Sequence, residues 1–139
     1  MKHLWLVALL ATASSAAASD TRPSKQPEPR PCTSWSGRIA GNDPDVVIRA
    51  RLCRKANGRV DGTITWRGRS GASVRTVAGT WSRAGLTLRD IRLEGTPNPG
   101  WRFCTIERYT LTAASPRKLA GSYRSSECRD DAAITLERE

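Results

Sequence analysis

From Cys32 onward, apolar and polar residues alternate with a period of two, which predicts strands with one buried face. Trp35, Gly37 and Ile39 alternate with Ser34, Ser36 and Arg38; Val46, Ile48, Ala50 and Leu52 alternate with Val47, Arg49, Arg51 and Cys53. Gly41-Asn42-Asp43-Pro44 reads as the turn between these two strands. Folding about it sets Ile39 opposite Val46, Gly37 opposite Ile48, Trp35 opposite Ala50 and Cys32 opposite Cys53. The next hairpin is marked by Asn57-Gly58. A two-residue loop there would put the apolar faces on opposite sides. The three-residue loop Ala56-Asn57-Gly58, with Gly58 at positive φ, instead pairs Ala50 with Ile64 and Ile48 with Trp66.

A short unit recurs along the chain: Val60-Asp61-Gly62-Thr63, Val77-Ala78-Gly79-Thr80, Leu93-Glu94-Gly95-Thr96 and Leu119-Ala120-Gly121-Ser122. Val77, Gly79 and Trp81 continue the inner face, Ser82-Arg83-Ala84-Gly85 turns the chain, and Leu86 and Leu88 return. Ile91 and Leu93 fall on the other parity, so a bulge is expected near Arg89-Asp90. After a loop at Thr96-Pro97-Asn98-Pro99-Gly100, Trp101 to Leu111 reads as a strand with a second bulge near Glu107-Arg108. Ser115-Pro116-Arg117 turns it, Leu119, Gly121 and Tyr123 return with Leu119 facing Leu111, and Ala132, Ile134 and Leu136 make a last strand after Asp130-Asp131. Eight strands on short connections, without an amphipathic helix, predict an all-β antiparallel meander. It should close into a small barrel by pairing its first strand with its last. A two-sheet β-sandwich is the alternative.

The N-terminus adds a destination. Lys2, the apolar run Leu4 to Leu10 and the small residues Ala16-Ala17-Ala18 make residues 1–18 a secretory signal. Residues 19–31, with Pro23, Pro27, Pro29 and Pro31, form a flexible Pro-rich tail, and 32–139 the barrel domain. No later stretch is apolar enough to span a bilayer, so a secreted or periplasmic protein is expected. Cys32, Cys53, Cys104 and Cys128 are best read as two disulfides in that oxidising compartment, with zinc as the competing reading. The strand registers favour Cys32 with Cys53 and Cys104 with Cys128, although the sequence permits the other two connectivities.

Charge and side-chain chemistry narrow the function. The formal charge is +10, or about +9 without Lys2, and it favours anionic partners such as cell-envelope polymers. The expected register gathers Arg49, Arg51, Arg59 and Arg67 on the outer face as a candidate anion-binding surface. Trp35, Trp66, Trp81 and Tyr123 point inward as candidate ligand contacts, with Trp101 at the mouth of a strand. Nucleic acid is disfavoured as a partner, because arginines and tryptophans occupy opposite faces. The sole histidine, His3, leaves with the signal, which excludes Ser-His-Asp and Cys-His chemistry. Asn42, Asp43 and Asp45 read as a turn rather than a calcium loop. No phosphate-binding loop or metal-ligand cluster occurs in the sequence, so no cofactor, no metal and no catalytic residue are expected.

Trp35-Ser36-Gly37 in the first strand, Gly62-Thr63 before Trp66, Gly79-Thr80 before Trp81 and the eight-strand meander together resemble the lipocalin and avidin type of small secreted (calycin-type) barrel. That resemblance implies binding rather than catalysis. The first reading is therefore an exported non-catalytic module for a small hydrophobic or anionic ligand. A second is a protein-interaction barrel, such as a hydrolase inhibitor whose N-terminal tail enters a partner's cleft. A third, disfavoured, is a glycan hydrolase using two of Asp90, Glu94, Glu107, Glu127, Asp130 and Asp131. Most of those acids adjoin arginines or turns, where surface ion pairing is the simpler expectation.

Overall fold

The computed structural model describes residues 31–40 and 46–139. The expected signal segment at 1–18, the expected tail at 19–31 apart from Pro31, and the turn at 41–44 lie outside the described residues. Eight antiparallel strands close into a barrel in chain order: β1 (Cys32–Ala40), β2 (Val47–Arg54), β3 (Arg59–Gly68), β4 (Gly71–Ser82), β5 (Gly85–Pro97), β6 (Glu107–Ser115), β7 (Lys118–Ser125) and β8 (Asp130–Arg138). β1 pairs with β8 through Gly37–Leu136 and Ile39–Ile134, so every strand has a neighbour on both sides. The sandwich alternative falls with that closure.

The first two hairpin registers follow the alternation. Trp35 lies opposite Ala50, Gly37 opposite Ile48 and Cys32 opposite Cys53, and in the next pair Ala50 meets Ile64 and Ile48 meets Trp66. The expected bulge in β5 falls at Ile91, because Thr76 pairs with Arg92 while Val77 pairs with Asp90. Ile91 is left unopposed and exposed, and Asp90 keeps the inward parity of Leu86 and Leu88.

The last hairpins differ from expectation. β6 begins at Glu107 rather than Trp101, with no bulge at Glu107-Arg108. Leu111 lies opposite Gly121 rather than Leu119, which faces Ala113. The irregularity sits instead between Ala113 and Ser115, at the turn end of the hairpin, where an extra residue moves the whole register. Continued past Glu107, the observed register carries Cys104 toward Cys128. These two form one disulfide and Cys32–Cys53 the other. Two disulfides suit an oxidising compartment, and each closes a loop worth about 3 kcal/mol on the loop-entropy account.

The core fills the middle of the barrel. Ile48, Ile64, Val77, Leu86, Leu111, Leu119, Ile134 and Leu136 are all fully buried, each stabilising the fold by about 1.5–3 kcal/mol. The recurring glycine unit has a steric cause. A Cβ at Gly62 would be driven into the carbonyl oxygen of Arg51, at Gly79 into that of Thr87, and at Gly121 into that of Thr110. At each site a neighbouring strand's backbone occupies the space a side chain would need, as happens where strands coil sharply to close a small barrel. Gly121→Ala is therefore expected to lower the unfolding free energy by about 2–3 kcal/mol in urea titration. The adjacent exposed change Ser122→Ala should move it by less than about 0.5 kcal/mol.

Candidate functional site

The two ends of the barrel are chemically different. β5 and β6 pair only from Leu86–Leu111 to Arg89–Arg108. Beyond that point β5 continues against β4 alone, and the connection from Asn98 to Ile106 runs without strand pairing. The sheet is unzipped there, and a cavity of ≈ 370 Å³ opens at that end. Trp66, Trp101, Phe103 and Tyr123 supply its aromatic walls, and Cys104 lines it beside the connection that its disulfide ties to the β7–β8 turn. Trp101 stands at the rim, 53% exposed.

A buried ion cluster forms the cavity floor. Arg75 on β4 is 3% exposed, and its Nη1 lies 2.5 Å from Asp90 Oδ2 on β5 and 3.3 Å from Glu107 Oε2 on β6. Both carboxylates are nearly as buried as the guanidinium. The Tyr109 hydroxyl donates to Glu107 Oε2 at 2.9 Å, and the Glu107 backbone N–H donates to Asp90 Oδ2 at 3.2 Å. The guanidinium also stacks over Trp66 at 5.3 Å, a cation–π contact strengthened by desolvation. Trp66 meets Tyr123 edge-on at 5.1 Å, and the Tyr123 hydroxyl donates to Asp130 Oδ2 at 2.8 Å.

One arginine facing two buried carboxylates leaves an excess negative charge in a buried site, and the acids respond. Burial raises the Glu107 carboxyl to about 7 against the pull of Arg75 and the Tyr109 hydrogen bond, with the charge of Asp90 adding to the rise. Burial raises Asp90 as well, opposed chiefly by Arg75. Tyr109 is held well above the ordinary tyrosine range by burial and by the Glu107 charge. At the rim, by contrast, hydrogen bonds from the Thr105 hydroxyl and N–H hold Glu127 below its usual value. Around the cluster, Trp66 Nε1, Ser73 Oγ, Arg75 Nε and Asp90 Oδ1 are buried without a hydrogen-bond partner among the described residues.

The inward aromatic residues expected from the sequence do not form one site. Trp66 and Tyr123 share the cavity, whereas Trp35 and Trp81 meet each other at the opposite end, 6.3 Å apart. There Arg54 caps Trp81 at 5.4 Å, beside a separate, apolar cavity of ≈ 320 Å³ lined by Leu52, Val60 and Leu119. The arginines divide too. Arg49, Arg51 and Arg67 lie together on the exposed outer face of β2 and β3, while Arg59 sits at the far end of β3, next to the Lys55–Asp61 ion pair. The structure adds Arg38, which flanks Val47 from β1 as Arg67 does from β3.

Asp90 and Glu107, expected to form ordinary surface pairs, are instead interior. Sequence reasoning overlooked Arg75 and Tyr109 altogether. The signal was available: Arg75 shares the parity of Val77, Gly79 and Trp81, and Glu107 that of Tyr109 and Leu111. A charge on an inward parity marks a buried polar group. No protein-family model, no curated protein and no solved structure matches this chain.

The Glu107 shift has a stability consequence of definite sign. Its folded value of about 7 lies above the ordinary 4.5, so its stabilising contribution is complete below pH 4.5 and lost as pH rises through 7. The shift corresponds to about 3 kcal/mol. In urea unfolding from pH 4.5 to 8, the wild type should lose that increment relative to Glu107→Gln, which cannot titrate. Parallel pH profiles for the two proteins would refute it. Asp90, also raised by burial, contributes in the same direction.

Proposed function

We propose that this protein is an exported, non-catalytic binding barrel that takes a small ligand into the cavity at the Cys104–Cys128 end. The observation that carries the reading is the cavity itself: ≈ 370 Å³, aromatic-walled and floored by a hydrogen-bonded ion cluster, within the size range of small-molecule sites. Buried ions of this kind are a poor way to stabilise a fold, since apolar residues of equal volume do as well or better. Their retention beside a cavity, with perturbed carboxyl groups, is the pattern of a functional site. Backbone geometry agrees with that reading. Ile106 and Arg129 hold left-handed φ values of 57° and 52°, and each immediately precedes a lining carboxylate, Glu107 or Asp130.

Architecture shared with lipocalins and avidins supports binding over catalysis, and the two disulfides support export to the periplasm or beyond. The glycan-hydrolase reading loses force because Asp90 and Glu107 converge on one guanidinium nitrogen instead of flanking an open cleft. Calorimetric titration of a fragment panel should yield saturable one-to-one binders. Ala132→Phe, which fills the cavity from β8, should abolish their binding while leaving the circular dichroism unchanged. No saturable binder, or equal binding by the filled variant, would overturn the reading.

A second reading, adhesion to an anionic envelope polymer, is favoured by the arginine face. Arg38, Arg49, Arg51 and Arg67 are exposed on adjoining strands and have no carboxylate partner among the described residues. On dextran sulfate resin, the Arg49→Gln, Arg51→Gln, Arg67→Gln triple variant should elute at clearly lower salt than wild type. Arg59→Gln, the loss of one charge at the far end of β3, should shift elution by much less than a third of that amount. Shifts in proportion to lost charge alone would dismiss the patch.

A further inference from the structure

The cavity is the place where this basic chain collects its acids. Glu107, Asp130 and Asp131 line it, with Asp90 behind Arg75. Of its two lining cations, Arg75 is answered by Asp90 and Glu107, while Arg102 is exposed, with Glu127 among its electrostatic neighbours. Asp130 accepts from the Tyr123 hydroxyl, and among the described residues Asp131 meets a cation only through Arg124, 3.9 Å away with both side chains largely exposed. Ser73, 2% exposed, lines the same cavity with its hydroxyl unpartnered. Aromatic faces complete the walls, and ring faces attract cations.

An anionic ligand could take the open donors Trp66 Nε1, Ser73 Oγ and Arg75 Nε only beside the negative charges of Glu107, Asp130 and Asp131. A neutral apolar ligand would bury Asp130 and Ser73 without compensation. A cation meets neither difficulty. The net positive charge of the chain opposes it only weakly, because exposed charges beyond about 8 Å are screened at physiological ionic strength. We propose that the ligand of this cavity is a small organic cation, an ammonium group on a short aromatic or aliphatic body, held by Asp130, Asp131 and Glu107 with its apolar part against Trp66 and Tyr123. This inference rests on the cavity-binding reading and names the ligand class for it.

Binding is linked to the proton on Glu107. Around that carboxyl stand Arg75 from β4, Asp90 from β5, Tyr109 from its own strand, Tyr123 and Ser125 from β7 and Asp130 from β8. Arg75 alone among them is cationic, so a bound ammonium favours the ionised carboxylate, and affinity rises as the proton leaves.

The test is calorimetry on the mature protein with a matched set of probes: benzylamine and benzyltrimethylammonium as cations, benzyl alcohol as the neutral analogue and benzoate as the anion. Both cations should bind at least tenfold more tightly than benzyl alcohol, with no detectable benzoate binding. Cation affinity should increase several-fold between pH 5.5 and 8. Glu107→Gln should remove that pH dependence, and Asp130→Asn, at an exposed position, should weaken the cations about tenfold without weakening benzyl alcohol. Equal or tighter binding of benzyl alcohol or benzoate at this cavity, blocked by Ala132→Phe, would overturn the cation assignment and leave the cavity reading standing. Failure of every probe in wild type, together with an empty fragment panel, would overturn both.

Discussion

The structure depends on how closely neighbouring backbones approach at a handful of glycines. At Gly37, Gly62, Gly79 and Gly121 a carbonyl oxygen of the adjacent strand stands where a Cβ would project. Eight strands enclose a barrel only if they coil strongly, and any side chain at these points would hold the strands apart. Three of these glycines belong to the recurring unit of apolar residue, any residue, Gly, then Thr or Ser, so the repeat marks the bends of the sheet. Closure follows from those bends. Once β1 meets β8, every strand has a neighbour on both sides and the fully buried aliphatic side chains fill the waist.

Closure also explains why chemistry gathers at one end. The β5–β6 pairing stops at Arg89–Arg108, and the Ile91 bulge follows at once. Where two strands part, inward positions no longer face a full ring of neighbours, and space for polar side chains appears. Asp90 stands at the point of divergence and Glu107 begins the departing strand. Arg75 reaches both from β4 and holds the parting strands together by charge. The Cys104–Cys128 bridge does covalently for the unpaired connection what strand pairing does elsewhere.

Much of this was legible in the amino-acid order. Strict alternation from Trp35 to Trp66 fixed both early registers, because a one-residue slip would invert every side chain. The last register was misread because its irregularity lies near Ser115, in a stretch of small residues, Ala113-Ala114, whose alternation carries no apolar contrast. The ion cluster was hidden by a different habit of reading. Arginine is so frequent on the outer faces of this chain that Arg75 drew no reading of its own. Parity supplies one, as it does for Asp90 and Glu107, which keep the inward parity of their neighbours Leu88 and Tyr109. Two carboxylates read as surface ion pairs from their arginine neighbours, and one arginine left unread, are assigned to the interior by period. What periodicity could not supply is their meeting, since β4, β5 and β6 come together only through a bulge of one residue and a gap of unpaired chain.

The cluster and the cavity are physically one object. A lone Asp90–Arg75 pair would be neutral and could be sealed within the core. Adding Glu107 makes the site either anionic or protonated, and with its carboxyl near 7 it exchanges between the two around neutrality. Such a group needs a route for its proton and a partner for its charge, and the unzipped end of the barrel offers both. Tyr109 donates a hydrogen bond to it, while the Trp66 ring lies against the Arg75 guanidinium. An occupant that brings positive charge completes the ion balance that the fold leaves open. An occupant without charge leaves that balance to the proton on Glu107. The protonation state of one carboxyl and the occupancy of the cavity are therefore two readings of the same electrostatic deficit.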